Sequence, residues 1–142
     1  MSNLFNAIAT GVDTFKEREV RFQKRLELAR STDEADLVRT VSAFGLDGCA
    51  VLFREVCNNP ATTLKVAEVA LQELERYLAV GWDACAHEAQ DEWQRKYVEL
   101  VAAASDATVE QVKKARKLLS NLRLDWAEGV RLSNALVEKI PA

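Results

Sequence analysis

Between residues 64 and 104, apolar side chains recur every three or four positions, through Leu64, Ala67, Leu71, Leu74, Leu78, Trp82, Cys85, Ala89, Trp93, Tyr97, Leu100 and Ala104. A strand alternates at every second residue, so this rhythm belongs to one face of a helix, or of two helices in register, about eleven turns long in all. Gly81 is the only interior residue expected to bend or split the stripe, and one long helix is the favoured reading.

The flanking segments carry the same period. Leu4, Ile8, Val12, Phe15, Phe22, Leu26 and Ala29 predict a first helix from about Asn3 to Arg30, with Glu19 inside its stripe. Ser31-Thr32-Asp33-Glu34 has the spacing of a capping box, with the Ser31 hydroxyl on an orphan backbone N–H and Glu34 reaching back. The helix it opens carries Leu37, Val38, Val41 and Phe44 and is expected to stop at Gly45. Asp47 to Cys57 reads as a short helix buried on most sides, and Asn59-Pro60 is expected to cap the long helix. Thr108 and Gln111 form a second capping-box spacing ahead of a last helix with Val112, Ala115, Leu119, Leu122, Trp126, Val130, Val137 and Ile140 on one side.

These elements predict an all-α fold: an antiparallel helical bundle of four to six helices, with one long central helix flanked by the first and last. At 142 residues, with no repeat, low-complexity tract or Pro/Gly linker, residues 1–142 are expected to form a single helical domain. The 49% hydrophobic content suits a packed core and not a disordered chain. The opening MSNLFNAIATGVDTF has no basic stretch or cleavage pattern of a secretory signal, and nowhere do 18 apolar residues run together. Cys49, Cys57 and Cys85 lie in helical segments without close pairs, as buried free thiols of a reducing compartment would. A cytoplasmic protein is expected.

Catalytic signatures are scarce. One histidine is present, and there is no Gly-rich phosphate loop, G-x-S-x-G elbow, H-E-x-x-H or dinucleotide fingerprint. Cys85 and His87 point about 200° apart on a helix, and Cys49 and Cys57 lie about 12 Å apart along one, so the cysteines and histidine do not assemble a zinc site. His87 and Asp91 are one turn apart and read as an exposed pair. Glu follows His87 directly, where the ligand pairs of di-iron bundles need it three residues ahead. No enzyme activity, cofactor, metal or small-molecule substrate is expected.

Two surface features point to partners. Val66, Val69, Tyr77 and Val80 lie opposite the Leu64 to Leu78 stripe, so this part of the helix is apolar on two faces and must be sandwiched by its own neighbours, by a second copy or by a protein partner. These four residues are the partner-binding candidates. Charge is also segregated: residues 1–30 carry a net +2, residues 31–107 a net −8 and residues 108–142 a net +3, within an overall −3. The basic ends are expected to complement the acidic middle, while Lys113, Lys114, Arg116, Lys117 and Arg123 are the candidate polyanion-binding patch. Glu19 reads as paired with a cation from a facing helix, or as a register device in a helix–helix seam.

The function these features favour is that of a non-catalytic bacterial or phage accessory protein, an adaptor, scaffold or inhibitor that self-associates and binds a protein partner through a helix face. Two alternatives stand beside it. One is a phasin-like coat on a hydrophobic granule or membrane surface, on likeness of composition; the other is a nucleic-acid-associated protein using the basic C-terminal helix.

Overall fold

The computed structural model describes residues 2–43, 50–81 and 83–140, with side chains from Phe15 onward and Ala50 excepted. Among the described residues every regular element is helical. The helices are α1 (Ser2–Ala29), α2 (Glu34–Ser42), α3 (Ala50–Cys57), α4 (Leu64–Leu78), α5 (Ala84–Ala103), α6 (Val109–Leu119) and α7 (Trp126–Val137). Phe44, Gly45, Asp47, Cys49 and Trp82, which figure in the expectations above, lie outside the described residues.

The expected long helix is two. α4 closes at Ala79, whose N–H donates to the Glu75 carbonyl, and α5 opens at Asp83, whose carboxylate accepts from the Ala86 N–H at 3.1 Å. A polar N-cap restarts the helix where an apolar stripe alone shows no interruption. Centrality belongs to α5: it packs against α3, α4, α6 and α7, and α4 packs in turn on α2. Ala86 and Ala89 bring the early turns of α5 close to their neighbours, and the buried Trp93, Tyr97, Val98 and Val101 fill the rest. Trp93 meets Phe53 of α3 edge to face, 6.2 Å between centroids, in the geometry that aromatic quadrupoles favour. The indole N–H of Trp93 is buried and meets no acceptor among the described residues.

The C-terminal segment breaks as well. α6 ends at Ser120, and Asp125 caps α7 by accepting from the Glu128 N–H at 2.8 Å. The restart shifts the helical phase. Leu132 and Leu136 point inward and are fully buried, whereas Trp126, Val130 and Val137, expected on the inner side, face out.

Polar side chains fix the helix ends. Thr108 and Gln111 make the reciprocal capping box expected of them. At α2 the cap is Asp33, which accepts from the Ala35 N–H; Ser31 instead accepts from the Asp33 N–H and donates to Asp36 at 2.8 Å. Glu34 accepts from the Thr63 hydroxyl, tying α2 to the start of α4. Asn59 does not cap α4, whose N-cap is Thr63. Its amide donates to the Ala29 and Ser31 carbonyls, both at 2.9 Å, closing the C-terminus of α1 while its own carbonyl accepts from the Ala61 N–H. Lys139 likewise donates to the Ala104 carbonyl at the end of α5.

Among the described side chains of α1, packing is confined to the C-terminal part. The helix packs on α2 and α3 through Phe22, Leu26 and the fully buried Ala29, and every described residue from Phe15 to Arg21 is exposed. Asn59→Ala is expected to destabilise the fold by about 1–3 kcal/mol in urea unfolding, the range for stranding buried backbone acceptors. The phase of α7 makes a contrast: Leu132→Ala is expected to cost about 2–5 kcal/mol and Val130→Ala less than about 1 kcal/mol.

Candidate interaction surfaces

The largest exposed apolar side chain among the described residues is Trp126, 84% accessible, at the first position of α7. Its placement follows from the Asp125 cap: the residue after an N-cap begins the helix, and the Leu132–Leu136 phase turns it away from the core. With Val130 one turn on, it walls a groove of about 490 Å³ between α6 and α7. Leu119, Leu122 and Leu124, all half-buried, contribute apolar surface, and Arg116 and Asp125 supply charge. Gly129 lies in this groove, and a Cβ there would meet nothing within 4 Å, so the groove is open above it.

A second, more polar cleft of about 960 Å³ lies beside α5. Glu88, Asp91, Glu92 and Glu99 face it with Arg95, Lys96 and Arg123. Arg54 joins two of the carboxylates, at 3.3 Å to Glu88 and 3.0 Å to Glu92. Cys57 lies at this cleft, where burial pushes its thiol up to about 11 and its Sγ–H contacts the Glu92 carbonyl at 3.8 Å. At neutral pH it is a protonated thiol, the opposite of the state a cysteine nucleophile requires. No grouping of three or more His, Cys, Asp or Glu among the described residues could hold a metal ion. No described helix is long and apolar enough to cross a membrane.

The residues singled out for partner binding do not share a free face. Val66 is fully buried in the core and Val69 is half-buried against it, because α2 and α5 both pack on α4. Tyr77 is half-buried too; its hydroxyl donates to Asp83 at 3.2 Å, which raises the phenol's pKa. The Ala86 N–H stabilises the Asp83 carboxylate and lowers its pKa; burial opposes this, and the Tyr77 hydroxyl adds a smaller lowering. Tyr77 therefore ties α4 to the start of α5. Only Val80, 88% accessible in the connection, stands open. Of this second stripe Val66 lines the interior, Val69 and Tyr77 lie at its margin, and Val80 is outside it.

The basic residues are brought together in part. Lys113, Arg116 and Lys117 are exposed on α6, whereas the Lys114 ammonium lies over the Tyr97 ring, 5.4 Å from its centre. Arg123 is exposed in the α6–α7 connection, where its carbonyl accepts from Arg95 at 3.5 Å. The sequence stripe sets Trp126 on the inner side of the last helix, and the structure turns it outward. The available signal was Asp125 three residues ahead of Glu128, a cap that restarts the helix and turns the preceding stripe out of phase.

Compared with protein-family models, with curated proteins and with solved structures, the chain matches none.

The thiols offer a direct check of this arrangement. Cys85, exposed on α5, is expected to be alkylated by iodoacetamide in the native protein at pH 8 while Cys57 is protected, with both labelled after unfolding; peptide mass mapping reads the difference. Cys57, and Tyr97, which burial pushes up to about 12, both favour their neutral forms in the native state. Their contribution to stability is complete below about pH 9 and is lost as pH rises through 11 to 12.

Proposed function

We propose that this protein is a non-catalytic helical interaction protein, an adaptor that binds a protein partner through the groove between α6 and α7. The observation that carries this reading is Trp126, 84% accessible beside Val130 and three leucines. Exposed apolar surface of this kind mostly marks a binding site, and tryptophan is enriched among the residues that dominate interfaces. The groove suits the apolar face of a helix, with Arg116 and Asp125 selecting its orientation. The same reading takes the helices as antiparallel neighbours, an arrangement that the short connections of α4 to α5 and α6 to α7 favour. A cytoplasmic location is part of this proposal.

A second reading has its own observation: Arg116 lines the same groove as Trp126, so an indole and a guanidinium converge on one space. A nucleotide base stacked on the indole, with its phosphate on Arg116, would use both.

A photo-crosslinking residue at position 130 is expected to yield a discrete protein adduct in the native host, and the same group at exposed Lys65 on α4 is expected to yield none. Trp126→Ala combined with the position-130 crosslinker should abolish the adduct. Equal labelling at both positions would overturn the proposal. Saturable, salt-sensitive binding of an oligonucleotide of about sixteen nucleotides, lost in Arg116→Glu, would establish the second reading in its place.

A further inference from the structure

α1 carries a seam that its own chain leaves open at Phe15 and Glu19. From Phe15 to Ala29 the positions Phe15, Glu19, Phe22, Leu26 and Ala29 advance by four, three, four and three, and in the sequence the same alternation runs back through Val12 and Ile8 to Phe5. This is a heptad register, the spacing of a helix that packs along its whole length on another. The C-terminal part of the seam is already an interface, since Phe22, Leu26 and Ala29 pack on the body of the protein. The seam then leaves the body. Phe15 is 68% accessible, and Glu19 at the next core position is exposed.

Charge selects what could continue the interface. Between residues 15 and 25 there are five basic and two acidic side chains, a net of +3, and Lys16 and Arg18 occupy the two positions that flank the seam beside Phe15 and Glu19. A second copy is a poor match. Parallel pairing sets the Glu19 carboxylate against its own copy, and antiparallel pairing brings the cationic flanks together, both like-charge juxtapositions that cost stability. A helix with acidic flanks satisfies Lys16 and Arg18, and a basic residue at its core position opposite Glu19 turns that carboxylate into a register pin.

We propose that the exposed stretch of α1 around Phe15 and Glu19 pairs with an acidic amphipathic helix of another protein, extending the seam that Phe22, Leu26 and Ala29 begin. This surface is separate from the α6–α7 groove, and either can fail without the other.

The probe is a synthetic helix of about four heptads with leucine at the core positions, glutamate on the flanks and one core lysine; a counterpart carries lysine on the flanks. Fluorescence anisotropy with the full chain is expected to show saturable binding of the acidic probe and at least about tenfold weaker binding of the basic one. Raising salt from about 0.05 to 0.5 M should weaken the acidic complex. Phe15→Glu should weaken it by at least about tenfold. Lys16→Glu with Arg18→Glu should shift preference to the basic probe. These positions are exposed, so circular dichroism and the unfolding midpoint should match the parent protein. Equal affinity for both probes, or binding of neither, overturns the proposal. So does a doubled mass of the protein alone in light scattering that Phe15→Glu returns to monomer, or stronger binding of duplex DNA through Lys16 and Arg18.

Discussion

Helix α5 is contacted by four others, and that single constraint organises the molecule. Those neighbours share one broad face of the helix, which must present apolar groups of graded size, while Glu88, Asp91, Glu92 and Arg95 take the side toward the polar cleft. The first turns of α5 meet that need with alanines and its middle with Trp93 and Tyr97, both almost fully buried. The Phe53 ring against Trp93 and the Lys114 ammonium over Tyr97 show how α3 and α6 are located by those two aromatic side chains. A buried indole offers about as much apolar area as any side chain can. Charge acts at the margin: the Arg30–Glu55 and Arg54–Glu92 pairs are partly exposed and contribute little beside the core.

Much of the fold was legible from spacing. The first helix, its end near Ala29, the start of α2 and the capping box at Thr108 are local features, and local rules find them. The two helix breaks were harder, for a physical reason. α4 and α5 contribute to one core, so the apolar rhythm carries across the turn between Leu78 and Ala84 as though the helix were unbroken. Asn59 was misread because its partners, the carbonyls of Ala29 and Ser31, lie some thirty residues earlier in the chain. No window of local sequence contains that hydrogen bond.

The binding surfaces show the same limit more sharply. Val66 reads as a residue on a second apolar face, and only the packing of α2 and α5 on α4 reveals that face as interior. Trp126 fits the stripe that begins at Val112, yet a six-residue interruption from Ser120 to Asp125 rotates everything after it, and Leu132 and Leu136 take the inner positions. A stripe counted across a break assigns inside and outside the wrong way round. The basic cluster shows a milder version: Lys113, Arg116 and Lys117 share a face by helical geometry, but Lys114 points to the Tyr97 ring, seventeen residues earlier in sequence.

The two hydrogen bonds from Asn59 have a mechanical meaning. They clamp α1 at its last turn, and the exposed stretch of the helix runs back from that clamp at 1.5 Å per residue, so that Phe15 stands about 21 Å from Ala29 along the axis. A load on that stretch is delivered through the carbonyls of Ala29 and Ser31 to the loop between α3 and α4.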